Sequence, residues 1–117
     1  MDERFRELTS AERKVIERLL QERFDGRNEL LCQLDGAQVR AIDPNGSLSF
    51  RINGPTTAKV RTRVPVEAAA PDVDGASVHV LLHVVDGRMT ELEVYREDLR
   101  PVLQFPAASK LTVMCAG

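Results

Sequence analysis

The chain has 117 residues, of which 43% are hydrophobic and 29% charged, and its formal net charge at pH 7 is −2. This length predicts a single α+β domain spanning residues 1–117, because a second domain has no room. The near balance of acidic and basic residues excludes a bulk electrostatic attraction to nucleic acid or to anionic membranes. We therefore expect neither nucleic acid nor a membrane as a partner.

The N-terminal segment is charged from its second residue and has no apolar run long enough for a signal peptide or a membrane span. A cytoplasmic location follows as the expectation. The two cysteines, Cys32 and Cys115, are too far apart in sequence for a zinc knuckle or a Cys-x-x-Cys pair, so reduced thiols are expected. Cys32 is predicted to pack within a strand and Cys115 to be exposed.

An amphipathic helix is predicted over residues 9–24. Thr9 followed by Glu12 has the pattern of a capping box, in which each side chain satisfies a backbone N–H of the first turn. Apolar residues then recur at spacings of three and four: Ala11, Val15, Ile16, Leu19, Leu20 and Phe24. Asp25-Gly26 is expected to end the helix, because glycine accepts the left-handed conformation of a helix C-terminus.

Beyond Gly26 the hydrophobic period changes to two, which predicts an antiparallel meander of about six strands. Three strands at residues 29–34, 38–42 and 47–52 are expected to pair in sequence. Residues 57–66 alternate in the same way, but Pro65 cannot donate to a ladder and suggests an edge strand or a strand end. The remaining predictions are a loop at 68–75, a turn of helix at 97–101 and a last strand at 110–114.

The clearest signal is a β-hairpin over residues 77–96, centred on Asp86-Gly87. This dipeptide supplies the two positive-φ residues of a type I′ turn, whose twist matches that of the flanking strands. Within the hairpin, Val78, Val80 and Leu82 share one face. The resulting fold prediction is α+β: an N-terminal amphipathic helix packed on a mostly antiparallel, twisted sheet of five to seven strands. The predicted core is Val15, Ile16, Leu19, Leu20, Val78, Val80, Leu82, Leu92 and Val94.

Metal binding is not expected. His79 and His83 share one strand face, but four residues of strand separate them by roughly 13 Å, which is too far for one ion. No Cys, Asp or Glu cluster is spaced along the sequence to complete a site. Asp72-Val73-Asp74-Gly75 resembles the start of a calcium loop, but the position of the required bidentate glutamate is occupied by His83, so a polar turn is predicted.

A basic row, Lys59, Arg61 and Arg63, has two interpretations. It resembles a phosphate-tracking groove, but such grooves need aromatic platforms, and the chain has no Trp, one Tyr and four Phe. Pairing with Glu91 and Glu93 across the sheet is therefore the favoured interpretation. No Ser or Cys lies on a recognised nucleophile turn and no glycine-rich phosphate loop is present, so neither an enzyme nor a cofactor is expected.

The segment from Glu91 to Val102 reads acidic-Leu-acidic-aliphatic-aromatic-basic and ends in Asp98-Leu99-Arg100-Pro101. With Leu8-Thr9-x-x-Glu12 and Asp74-Gly75, it resembles a family of small uncharacterised bacterial proteins, a domain of unknown function. Tyr95 stands where the family pattern has Trp, Leu99 where it has Phe, and Asp43-Pro44-Asn45-Gly46 where relatives carry a glycine-pair loop. The resemblance implies no active site. Similar small α+β proteins act as immunity partners of bacterial toxins.

The functional hypothesis is a non-enzymatic protein-binding module, with an immunity-type partner of a toxin as its narrower form. Its predicted contact is an aromatic anchor ringed by acids: Tyr95, Glu91, Glu93, Glu97 and Asp98. Alternatively, Tyr95 closes the sheet edge and the acids pair with the basic row. Two other functions stay open: a small-ligand-binding domain, and a homodimer formed through the apolar side chains of a second sheet face, Leu81, Val85, Met89 and Tyr95.

Overall fold

The computed structural model of the chain describes residues 4–116. Its two helices and seven strands are, in order, β1 (Arg6–Glu7), α1 (Ser10–Leu19), α2 (Arg27–Leu34), β2 (Gln38–Ala41), β3 (Leu48–Arg51), β4 (Val66–Pro71), β5 (Ser77–Val85), β6 (Arg88–Arg96) and β7 (Thr112–Cys115). The strands form one antiparallel sheet in the order β1-β2-β3-β6-β5-β4-β7. The predicted α+β class and antiparallel sheet are confirmed.

Helix α1 begins as predicted. The Thr9 hydroxyl accepts from the Glu12 N–H at 3.2 Å, and the Glu12 carboxylate accepts from the Thr9 N–H at 2.9 Å. The helix ends at Leu19 instead of residue 24, and the short strand β1 precedes it. Gly26 is left-handed with φ 92°, but it is the N-cap of α2. The glycine expected to end one helix therefore begins the next.

Residues 29–34 were predicted as a strand, and this is wrong. They belong to α2, where Leu30, Gln33 and Leu34 are buried at helical spacing. Cys32 is exposed on this helix instead of packed in a strand. The run carries too few polar positions to distinguish the period of a helix from that of a strand. The helix becomes evident only from the packing of the three buried side chains in the core.

The predictions for residues 57–65 and 68–71 are also wrong, whereas residues 72–75 form a loop as predicted. Residues 57–65 form no strand, although they stay attached to the hairpin: the Ala58 N–H donates to the Gly87 carbonyl at 2.8 Å, and the Val84 N–H donates to the Arg63 carbonyl at 2.7 Å. Residues 68–71, predicted as a loop, belong to β4, which pairs with both β5 and β7. Alanine has low strand propensity, but pairing on both sides overrides it.

The hairpin is confirmed. Asp86 and Gly87 have φ values of 51° and 77°, both positive as a type I′ turn requires. A Cβ added at Gly87 would lie 2.8 Å from the Thr57 Cβ, so the position also requires glycine for close packing. Thr90 is the extra residue of a β-bulge, because His83 pairs with Glu91 while Val84 pairs with Met89. Residues 97–100 form turns and bends without a helix, whereas the predicted last strand is present as β7.

One face of the sheet carries the core. The predicted core residues are all buried, and the apolar side chains of both helices join those of the strands in one cluster. Along β5 and β6 buried side chains alternate with half-buried ones, which point to the opposite face. We call this opposite face the open face. Neither helix within residues 4–116 is long and apolar enough to cross a membrane.

Candidate binding face of the sheet

The centre of the open face is formed by β5 and β6. The strand register places His79 opposite Tyr95, Leu81 opposite Glu93 and His83 opposite Glu91. All these side chains are half-buried. The structure therefore brings together three of the five residues predicted to form the contact: Tyr95, Glu91 and Glu93.

Tyr95 is held by an aromatic stack. Its ring centroid lies 5.1 Å from that of His79, and the two ring planes differ by 22°. Glu97, at the edge of this pair, approaches the His79 Nε2 at 3.7 Å with a side chain that is 72% exposed. Tyr95 is thus restrained by a neighbour, and Glu97 is available to solvent beside it.

His83 is held from both sides. The Arg63 Nε donates to the His83 Nδ1 at 3.0 Å, and the His83 Nε2 lies 2.8 Å from the Glu93 Oε1. Because a guanidinium N–H can only donate, Nδ1 accepts and the proton lies on Nε2, which donates to Glu93. Glu93 and Glu97 therefore contact histidines, and the predicted pairing of Glu91 and Glu93 with the basic row is wrong.

The basic row itself is not formed, because residues 57–65 are not a strand. Arg61 instead pairs with Asp25 at 2.8 Å, Arg63 with His83, and Lys59 is exposed. Met89 is likewise misassigned: it is 2% exposed and lies in the core. The bulge at Thr90 shifts the alternation of β6 by one residue, which is why Met89 does not share a face with Tyr95.

Asp98 does not join the predicted site. It pairs with Arg96 at 2.7 Å, and Arg96, buried like Leu92 and Val94, points to the core side of β6. Asp72 and Asp74 also contact the Arg96 guanidinium, at 3.2 and 3.0 Å. Asp72 and Asp74 belong to the segment that resembles the start of a calcium loop. Here the positive charge beside these carboxylates is the Arg96 guanidinium, which they share with Asp98.

The Arg96 cluster changes the protonation of its members. Hydrogen bonds from Arg96 and from the Arg100 N–H lower the pKa of Asp98 to about 2. Burial opposes ionisation of Asp72, but hydrogen bonds from the Leu103 and Val73 N–H groups, then from Arg96, lower its pKa below the ordinary value. Asp72 thereby ties the segment after β6 to the turn between β4 and β5.

A second part of the open face lies on β1 to β3 and is basic. The Phe5 ring lies under two guanidinium groups, with Arg51 Cζ 4.7 Å and Arg40 Cζ 5.2 Å from its centroid. The Arg40 Nε is buried and finds no hydrogen-bond partner among residues 4–116. Sequence reasoning missed this cation–π group, because Arg40 and Arg51 meet only through the pairing of β2 with β3.

On the helix side, a groove of about 770 Å³ lies between α1 and residues 106–109, lined by Lys14, Glu17, Arg18 and Ser109 among others. None of the predicted site residues lines it. Cys115 is exposed as predicted. Partial burial and the nearby Glu22 raise the pKa of its thiol, which lowers its thiolate fraction at neutral pH.

Comparison with known proteins gives one match. The family model of a domain of unknown function, DUF6984, covers residues 5–106, which include both helices and the whole β5–β6 hairpin. No curated protein and no solved structure shows significant similarity to the chain. The chain therefore belongs to the family of the domain of unknown function DUF6984.

Proposed function

We propose that this chain is a non-enzymatic binding protein that contacts a protein partner through the β5–β6 part of its open face. The observation that supports the proposal is the arrangement of the two helices, which both pack on one face of the sheet, so that neither helix of residues 4–116 covers the other face. The side chains of the open face on β5 and β6 are half-buried, so they are held in place by their neighbours and can still contact a partner.

Tyr95 is the proposed anchor. An aromatic ring with few rotatable bonds contributes contact area at low entropic cost, and such residues are common in binding hot spots. Its stack on His79 reduces this cost further, because the ring is already oriented before a partner arrives. A half-buried ring has enough accessible surface left to gain from desolvation.

The partner is expected to present a basic surface. Glu93 and Glu97 flank Tyr95 along the chain, Glu91 lies further along the same face of β6, and Glu67 lies opposite Leu81 on the neighbouring strand. Complementary charges accelerate encounter and exclude acidic competitors. In its narrower form the proposal is an immunity-type protein in the bacterial cytoplasm that binds a toxin, and a toxin coding region directly beside this gene would support that form.

The test is a pull-down from the native host with wild type, Tyr95→Ala and Glu97→Lys. Glu97→Lys reverses a charge on a 72% exposed side chain and should leave the fold intact. We expect both variants to capture less of a partner retrieved by wild type. Val73→Ala, which alters a 67% exposed side chain outside the open face, is the matched control. Equal capture by all four proteins would contradict the proposed contact.

A second function, self-association, is supported by the charge distribution of the same face. Its β1–β3 part carries Arg40 and Arg51 around Phe5, whereas its β5–β6 part is acidic. A two-fold axis that runs between these two parts, parallel to the strands, brings each part against the other part of the second copy. Light scattering that returns only the monomer mass of 13.0 kDa at high concentration would exclude it.

A further inference from the structure

The centre of the open face contains a compact group of potential metal ligands. One nitrogen of His83 and one carboxylate oxygen each of Glu91 and Glu93 all lie within 4.8 Å of one another. The three side chains are half-buried, so their positions are restricted by the sheet. Sequence reasoning considered only the pair His79 and His83 along one strand and missed ligands contributed by the neighbouring strand.

The strand pairing explains how the group forms. His83 lies directly opposite Glu91, and Glu93 follows two residues along β6 on the same face. The bulge at Thr90 starts next to this pair. Bulges increase the local twist and re-aim side chains, and they are frequent beside functional sites. The one register shift in the pairing of β5 with β6 thus lies next to His83 and Glu91.

Glu91 has a carboxylate whose charge the structure leaves unbalanced. Within residues 4–116 its side chain takes part in no hydrogen bond or ion pair, although it is half-buried. The Glu93 carboxylate close by has the same charge, and among the described residues only the His83 ring donates to it. Two neighbouring carboxylates repel each other, and a cation between them relieves that repulsion.

We propose that His83, Glu91 and Glu93 bind a divalent transition-metal ion of the zinc type. One imidazole nitrogen and two carboxylate oxygens are a donor set that zinc accepts at about 2.0–2.2 Å. Magnesium and calcium prefer oxygen donors alone, so the histidine favours a transition metal. The Nε2–Oε1 distance of 2.8 Å is already within the reach of one ion, and all three ligand atoms lie within 4.8 Å of one another, so rotation of the Glu91 side chain can bring it to the same ion.

Arg63 opposes this binding. Its N–H group fixes the His83 proton on Nε2, the nitrogen that contacts Glu93. A metal at Nε2 requires the proton on Nδ1, where it would meet the Arg63 N–H, so Arg63 must swing away. Replacing Arg63 by glutamine removes one positive charge and supplies an oxygen that accepts from Nδ1–H, as outer-shell partners of metal-bound histidines do.

The experiment is a calorimetric titration of tag-free protein with zinc chloride. A Cys32→Ser, Cys115→Ser background removes the two exposed thiols, which would otherwise bind zinc. We expect one ion per chain, binding at least about ten-fold weaker in His83→Ala and Glu91→Gln, and at least about ten-fold tighter in Arg63→Gln. His79→Ala is the matched control and should bind as the background does.

A tighter one-to-one site in Arg63→Gln is the opposite of what loss of the folded site would give, so this variant tests the site even where His83→Ala is unstable. The proposal is overturned by the absence of saturable one-to-one binding, by His79→Ala weakening zinc binding as much as His83→Ala, or by Arg63→Gln binding no tighter than the background. Zinc binding by the isolated chain is independent of the pull-down, so the site and the protein partner can fail separately.

Discussion

The Arg96 guanidinium lies 3.2 Å from the Asp72 carboxylate, with side chains that are 3% and 0% exposed. The pair joins the end of β6 to the turn before β5. Asp72 also accepts from the N–H groups of Leu103 and Gln104 at 2.8 and 3.1 Å. A buried charge pair with additional hydrogen bonds is a strong constraint, because removing one partner leaves the other charge without compensation.

The first prediction concerns the shape of the Arg96 side chain. Arg96→Lys keeps the positive charge but replaces the planar fork by a single ammonium, which cannot contact three carboxylates in the same geometry. We expect a lower free energy of unfolding, measured by urea denaturation at pH 7. Arg88→Lys, on the same strand but outside the cluster, is the control. If both variants lose the same amount, the fork has no special role.

The second prediction is a loss of stability in acid through Asp98. Because its pKa in the folded chain is about 2 and the ordinary value is 3.8, folding favours the ionised form. The stabilisation is complete above the ordinary pKa and disappears as the pH falls toward 2. Urea midpoints measured from pH 6 to pH 2.5 should decline less in Asp98→Asn than in wild type. Asp35→Asn serves as the control, and a parallel decline in Asp98→Asn and wild type would refute the assignment.

The third prediction concerns Gln33, which is 2% exposed and joins α2 to the hairpin. Its Nε2 donates to the carbonyls of Thr56 and Gly87 at 3.0 and 2.7 Å, and its Oε1 accepts from the Met89 N–H at 3.0 Å. Gln33→Leu keeps the volume and leaves the Met89 N–H unsatisfied, which should lower the free energy of unfolding by roughly 1–3 kcal/mol.

Chemical denaturation checks this value, with Gln21→Leu, an exposed glutamine, as the control expected to change stability by less than about 0.5 kcal/mol. A Gln33→Leu variant as stable as the control would mean that the three hydrogen bonds of Gln33 contribute nothing measurable.

Gln33 also illustrates the limit of what the sequence was able to predict, which was local structure. The capping box at Thr9 and the Asp86-Gly87 turn are local, so their residue chemistry was sufficient. Gln33 satisfies groups that are 23 and 54 residues away, and no local pattern contains that information. The loop prediction for the alanines of β4 was wrong for a similar reason, because their strand is formed by pairing with β5 on one side and β7 on the other.

The candidate site likewise has some features that a local sequence pattern predicts and others that depend on tertiary packing. Alternation along β6 was sufficient to place Glu91, Glu93 and Tyr95 on one face, whereas Asp98 lies beyond the strand end, where the alternation no longer applies. The contacts of His83 with Arg63 and Glu93 depend on strand register and on the path of residues 57–65, both set by tertiary packing.

The fourth prediction tests the core. Leu19 on α1 is fully buried. Leu19→Ala removes apolar contacts and leaves a cavity, which costs roughly 2–5 kcal/mol in other small proteins. A domain of marginal stability would lose much of its folded population. Thermal unfolding followed by circular dichroism measures the effect, and Leu103→Ala, 59% exposed, is the control. Equal melting temperatures for the two variants would be inconsistent with the packing of α1 on the sheet.

The last prediction separates self-association from binding to another protein. One variant, Arg40→Glu with Arg51→Glu, makes the basic half of the open face acidic, and a second, Glu93→Lys with Glu97→Lys, makes the acidic half basic. In a dimer whose two-fold axis runs between the two halves, parallel to the strands, each half faces the opposite half of its copy. Either variant alone then places like charges together and should be monomeric. An equimolar mixture restores attraction in both contacts and should form a heterodimer near twice 13.0 kDa by light scattering. A mixture that stays monomeric while wild type dimerises would show that the dimer uses another surface. If wild type is itself monomeric at high concentration, self-association is excluded and the open face is expected to bind a different protein.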